Sequence, residues 1–445
     1  MPTDDLPTSA GGHCCWRPVW QDGDRCVWHT ECAGKSVEAL TARGNPGRRL
    51  DGAILTDVDG LSEVPLSGTT LANATLSGAD LRGVRLRDVD LRGATLERVD
   101  LRDSDLSGGT VQLRYADLSA ARLRHADLSN VDLRFATLRN ADLVRASLVG
   151  AKASGTTLTA ATVISTRLAG ATLRNADLSD ALLRRARLAN AQLRGATLSG
   201  ADCYEADLSD ADLQKAVLED ARLRGTDLTG SDLTDATLEN ADARGVDLSG
   251  ATLTRTVLTR ANLFDADLSG TTVYGAVFVD AKINDRTEFG FDRGSTTSLS
   301  DATLTDLDRL GWRYRIIERL SRQNALPEQA RRAYRRRKAV RRRRHRKKWA
   351  VAKWTGATLS GGVMRYGEGP WRVLGVSAVV VLAGAILYPL SPGESLYVSL
   401  VSFLDPLAAA RELPAWARYV AAVQSLAGVL LIALLVFVFG RRSTY

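Results

Sequence analysis

The residues best equipped for chemistry stand at the start of the chain. His13, Cys14, Cys15, Cys26, His29 and Cys32 crowd into one short stretch, and thiolate and imidazole groups so spaced can furnish a tetrahedral zinc site. The ligand set this suggests is Cys14 or Cys15 with Cys26, His29 and Cys32, around one structural Zn2+. The same residues also read as a small free-thiol cap over whatever fold follows. No charged segment followed by an apolar run opens the sequence, so this part is expected in a reducing cytoplasm, where clustered cysteines favour metal over disulfides. A catalytic zinc is not expected, because no acid or base partner stands nearby and so short a unit builds no cleft. Elsewhere no nucleophile stands beside a base and no glycine-rich loop could cradle phosphate, so the sequence does not read as an enzyme. Beyond the zinc, no cofactor is expected.

The elements that follow are dictated by a period. From Leu61 a bulky apolar residue returns every fifth position, through Leu66, Leu71, Leu76 and on to Leu268, Val273 and Phe278, with a small residue two places before each, as in Ala116-Asp117-Leu118-Ser119-Ala120. About forty-five such units demand a stacked array. On an α-helix a five-residue step turns the side chain by about 500°, so the leucines would wander around the axis. In a straight strand an odd step points successive leucines to opposite faces. A chain that turns a corner after every five residues sends each Leu, and the small residue before it, inward on one side.

This pattern of a small residue, Asp or Asn, Leu, a polar residue and a variable one resembles the pentapeptide-repeat family over about half the chain. The resemblance implies a mainly β fold, a right-handed quadrilateral β-helix with four repeats per coil. Roughly eleven coils at about 4.8 Å would make a rod on the order of 50 Å long. Its interior would be filled with leucine and closed by alanine, which leaves only a surface for function. The N-terminal Cys/His run also resembles the short knuckle that precedes the repeats in relatives of the family. Ala153 and Ala243 stand at centres and are expected to be weak points. Cys203 also occupies a centre, where an inert small hydrophobe is favoured over a redox sensor. Seven-residue jumps from Ile54 to Leu61 and from Leu106 to Leu113 suggest two extra residues bulging at each place. They read as accommodated insertions or as recognition features.

A twenty-residue return stacks side chains into columns. Asp207, Asp227, Asp247 and Asp267 share one and are expected either to cap corner amides, the favoured role, or to offer an anionic stripe to a partner. Arg174 and Arg194 share another column, and Tyr115 stacks one coil below Phe135. Residues 61–280 carry roughly five more acidic than basic side chains, whereas 313–354 carry roughly sixteen excess positives, so the overall charge of +8 belongs to a linker. Arg and Asp are interspersed along the rod, so a DNA-mimicking acidic field is not expected, and nucleic acid is not an expected partner.

After the repeats a helical pattern opens at Trp312 and restarts at Pro327. Its basic residues, among them Arg335, Arg336, Arg337, Arg341, Arg342, Arg343 and Arg344, are expected to face anionic lipid. Apolar stretches at 373–390 and 420–440, flanked by Trp371, Tyr388, Trp416 and Tyr419, predict two transmembrane α-helices with both chain ends and the rod in the cytoplasm. Tyr366-Gly367-Glu368-Gly369-Pro370-Trp371 and the segment Ser395–Phe403 resemble the pore module of two-transmembrane potassium channels over about the last 80 residues. That resemblance implies a re-entrant helix at 394–404. The chain departs from the channel pattern where the filter belongs: Leu404-Asp405-Pro406-Leu407-Ala408-Ala409-Ala410 has no glycine to build carbonyl rings.

Four regions are therefore expected: a knuckle at 1–50, the β-helix at 51–284, a basic helical linker at 285–370 and a membrane hairpin at 371–445. The favoured function is a membrane-anchored scaffold or regulator presenting its rod to an unidentified protein partner. The alternative is an ion-channel-like protein with an atypical or lost filter. Homo-oligomers are expected, tetramers if channel-like.

Overall fold

The computed structural model describes residues 28–29, 49–58, 60–107, 110–290, 302–347, 370–387, 392–404 and 415–442. It falls into two compact units, Met1–Thr296 with Arg319–Gln329 and Thr297–Glu318 with Ala330–Tyr445.

In the first unit every repeat runs the same cycle. Ala116 and Leu118 point inward and are buried, while Asp117 between them forms the β-bridge to the coils on either side. Ser119 and Ala120 make the corner, with Ala120 at φ 54°, and the Ala121 amide closes the turn on the Leu118 carbonyl at 3.0 Å. Between coils, the Asp117 amide donates to Ala94 O (2.9 Å), Leu118 to Thr137 O (2.7 Å) and Ala120 to Arg139 O (2.8 Å). The backbone is thus satisfied by single-residue bridges, without a continuous strand among the described residues.

Bridges recur at twenty residues, as in Asp117 to Thr137 to Thr157 to Asp177, so four repeats make one coil. The expected two-residue insertion after Leu106 is present, since Thr95 bridges Asp117. The first jump is smaller than expected. Ile54 bridges Thr75, twenty-one residues on, and the buried centre is Leu55, with Ile54 turned outward; the extra chain there folds into a 3-10 turn at Leu61–Glu63. Ala153 and Ala243 are buried at centres, as expected. The next inward small position carries Thr156 and Val246 in place of alanine, both buried.

The last coil is closed within the same unit. Asn324 accepts the Ile283 amide (3.1 Å) and donates to Ala281 O (3.0 Å), and Gln329 reaches the carbonyl oxygens of Asn284, Asp285 and Thr287. A solenoid needs such a terminal cap because its final coil has no neighbour to pair with.

Helix α1, Leu304–Gln323, begins at a reciprocal cap in which Thr303 and Asp306 exchange hydrogen bonds. Helix α2, Pro327–Lys347, starts on its proline as expected. In the second unit Arg337 pairs with Glu318 at 3.0 Å and Arg344 with Asp308 at 2.5 Å.

Helices α3 (Pro370–Leu387), α4 (Pro392–Leu404) and α5 (Ala415–Arg442) pack against one another. The two-span expectation is corrected here: among the described residues no helix is long and apolar enough to cross a membrane. Helix α3 has 18 residues, about 27 Å against a hydrocarbon core of about 30 Å, and it ends before Pro389. The described half of α5 carries Arg418, Gln424 and Ser425. A short helix does occupy the place implied for a re-entrant segment; the residues that would follow as a filter, 405–410, lie outside the described residues.

Candidate partner-binding surface

The solid interior leaves function to the outer columns. Beside the inward Leu143 and Val163, the outward column reads Arg124, Val144, Ile164, Arg184, Tyr204 on successive coils. Val144 and Ile164 are short and half-buried between long neighbours, so the surface dips over two coils, roughly 10 Å. The result is a groove of about 700 Å³. Its walls are fixed by ion pairs one coil apart, Arg124 to Asp142 at 2.5 Å and Arg184 to Asp202 at 2.7 Å. Asp202 is buried, and a buried carboxylate holds its arginine in one place more firmly than a surface pair does.

The rim adds His125, Arg145, Arg185 and Tyr204. The Tyr204 hydroxyl donates to Glu205, which together with Arg185 (2.8 Å) holds that carboxyl below its ordinary range. Arg145 is exposed and forms no ion pair among the described residues. An aliphatic floor with guanidinium walls suits a chain that carries both carboxylates and aliphatic side chains. Sequence reasoning missed this groove, although the twenty-residue column that forms it could have been read directly.

The aspartate column behaves as the favoured expectation had it. One oxygen, Oδ1, of Asp207, Asp227, Asp247 and Asp267 accepts the amide two residues on, at 3.1, 2.9, 2.8 and 2.7 Å. Residues 121–200 hold twelve basic and five acidic side chains, and 201–280 hold six basic and sixteen acidic. The rod therefore changes sign half-way along these eight coils.

The Pentapeptide repeats family matches in eight copies, within residues 61–108 and 116–280. HetL, a pentapeptide repeat protein involved in heterocyst differentiation regulation from the cyanobacterium Nostoc sp. strain PCC 7120, is 33% identical, over 48% of this chain and 87% of HetL, with a TM-score of 0.25. This chain is a pentapeptide-repeat protein. A pentapeptide repeat protein from the Arabidopsis thaliana thylakoid lumen is 34% identical, over 21% of this chain and 65% of that one, at a TM-score of 0.21. QnrB1, a plasmid-mediated fluoroquinolone resistance protein, is 19% identical, over 43% of this chain and 90% of its own, at a TM-score of 0.16. No curated protein matches the chain. Membership makes the solenoid a right-handed β-helix. The family matches end at residue 280, before the helices.

Other expected sites of this pentapeptide-repeat protein fare unequally. Cys14, Cys15, Cys26 and Cys32 lie outside the described residues. His29 is placed, and its Nε2 donates to the Asp51 carbonyl at 2.9 Å. No group that could hold a metal is found among the described residues. Of the basic residues expected to face lipid, Arg337 and Arg344 turn instead toward α1 through the ion pairs above. Arg335, Arg342 and Arg343 are half-buried, and Arg336 and Arg341 are exposed. Cys203 is fully buried, and desolvation pushes its thiol up to about 12. Tyr115 and Phe135 stack as expected, ring centroids 5.3 Å apart. A Cβ on Gly155 would meet the Phe135 ring at 2.6 Å, so glycine there lets the ring lie flat on the next coil.

Proposed function

We propose that this protein is an interaction scaffold whose rod seats an acidic, aliphatic-rich segment of a partner protein and whose C-terminal helices hold it at a lipid surface. The observation that carries the first part is the aliphatic dip walled by Arg124 and Arg184 and rimmed by Arg145. A rod without an interior cavity recognises by its surface, and here charge and apolar area converge on one place. A fluorescein-labelled peptide of alternating Glu and Leu should bind the full chain in the micromolar range by fluorescence anisotropy. Arg145→Glu or Ile164→Arg should weaken it at least tenfold, while Arg174→Glu, on another column, leaves it unchanged. Equal binding by all three variants refutes the groove.

Support for the lipid surface comes from an inverted burial pattern in α3, α4 and α5. Ser399, Ser402, Gln424 and Ser425 are buried, with Gln424 donating to Ser399 O at 3.0 Å and Ser399 to Val381 O. Ile386, Val423 and Leu426 are 85%, 71% and 64% exposed. Polar groups inside and aliphatics outside suit an apolar solvent, without requiring any one helix to cross it. The full chain should float with phosphatidylcholine vesicles in a density gradient at high salt, and added phosphatidylserine should strengthen this through Arg336 and Arg341. Protein that stays at the bottom of both gradients rules out the lipid attachment.

A further inference from the structure

We infer that two copies of this chain pair side by side and antiparallel, through the flat rod face that carries the aspartate column. Along that face the bridging residues run Asp127, Ser147, Arg167, Arg187, then Asp207, Asp227, Asp247 and Asp267. Over the six coils from Ser147 to Asp247 the sign changes once, between Arg187 and Asp207. Neither arginine and none of the four upper aspartates forms an ion pair among the described residues. Corner capping occupies Oδ1 of each aspartate and leaves the column's charge uncompensated. Like charges one coil apart, about 4.8 Å, repel along both halves of the face.

The face is also level. Its next outward column is Val149, Ala169, Ala189, Ser209, Thr229 and Ser249, and the corners beside it include Gly150, Gly170, Gly230 and Gly250. Along this edge no long side chain holds a second rod away. A two-fold axis through the midpoint between Arg187 and Asp207 then sets Arg187 against the partner's Asp207 and Arg167 against the partner's Asp227, each twice by symmetry. Ser147 falls opposite the partner's Asp247. A parallel pair in register would instead set aspartate against aspartate, so charge selects the antiparallel arrangement.

Asp127 would meet the partner's Asp267, which confines close contact to the central six coils, about 29 Å of rod. Such a contact buries on the order of 900 Å² in total, at the low end for specific pairs, so the dimer is weak and salt-sensitive. It does not depend on the groove, which lies on the neighbouring side.

The test uses the full chain in non-ionic detergent and sedimentation velocity. Wild type should dimerise in the micromolar range at low salt and dissociate at high salt. Arg167→Glu with Arg187→Glu, and separately Asp207→Arg with Asp227→Arg, should each weaken self-association at least tenfold. An equimolar mixture of the two variants should associate again to within about threefold of wild type, because positions 187 and 207, and 167 and 227, then again face each other with opposite charges. Re-association also shows that both variants fold. Asp207→Asn with Asp227→Asn can still accept the corner hydrogen bonds and should weaken the dimer too. Monomeric wild type at low salt, variants that pair as wild type does, or a mixture that stays monomeric would each overturn the inference.

Discussion

A thiol that takes the place of a leucine is insulated from its own chemistry. Cys203 is surrounded by the packed interior and its pKa is pushed up to about 12 by burial, so almost no thiolate forms at neutral pH. Iodoacetamide should leave Cys203 unmodified in the native protein and label it after guanidinium unfolding, as read by peptide mass mapping. That inward place was legible because the five-residue period fixes which side chains face the axis. The Asp–Arg pairs two residues apart were less legible, since the period marks columns and says nothing of a pairing within one corner. In the structure the Arg82 side chain donates to Asp80 and Arg92 to Asp90, and each carboxyl lies below its ordinary range chiefly for that reason. A depressed carboxyl stabilises the fold fully above the unfolded value near pH 4 and loses that contribution as pH falls through the native value. The melting temperature should therefore be flat from about pH 7 to 5 and fall below about pH 4, and Asp90→Asn should make that fall shallower.

At the scale of one element, stability depends on neighbours replacing what a repeat lacks. Val246 is buried at the inward position that follows Ala243, where the centre already lacks a leucine, so Val246→Ala should cost more than the same loss beside a leucine, roughly 1 to 3 kcal/mol in urea unfolding. The terminal coil depends on a different device. Asn324→Ala removes one acceptor and one donor from Ile283 and Ala281 and should cost about 1 to 3 kcal/mol. Hydrogen exchange should then rise across 281–288 and stay unchanged near residue 200. Sequence reasoning found that period breaks and helices follow the repeats, because proline and helical patterning are local signals. It did not find Asn324, whose part depends on a contact across some forty residues. The placement of Ile54 at a centre failed for a related reason: Leu55 beside it is equally apolar, and only the twenty-one-residue pairing tells them apart. For the last helices, hydropathy marked where apolar residues concentrate, but helix ends at Leu387 and buried polar partners such as Gln424 with Ser399 are tertiary facts.

At the scale of the whole molecule, a solenoid of equivalent repeats separates two properties that a globular fold ties together. Stacking needs only that each repeat find another one coil away, whereas a column needs every residue to return at the same angle. Excising 191–195 removes one whole repeat between Arg187 and Asp207 and leaves the five-residue rhythm unbroken. The rod above should re-stack a quarter-turn round, with its β circular dichroism kept. The basic and acidic halves would then lie on neighbouring faces, and no single face could present both to a second copy. Excising 231–250 removes one full coil and returns every later residue to its original face, with Asp247 alone lost from the aspartate column. By sedimentation velocity at low salt, the five-residue excision should abolish self-association and the twenty-residue excision should preserve most of it. A rod that tolerates the loss of a coil in binding, yet not the loss of a quarter of one, recognises through the alignment of columns and not through any single side chain.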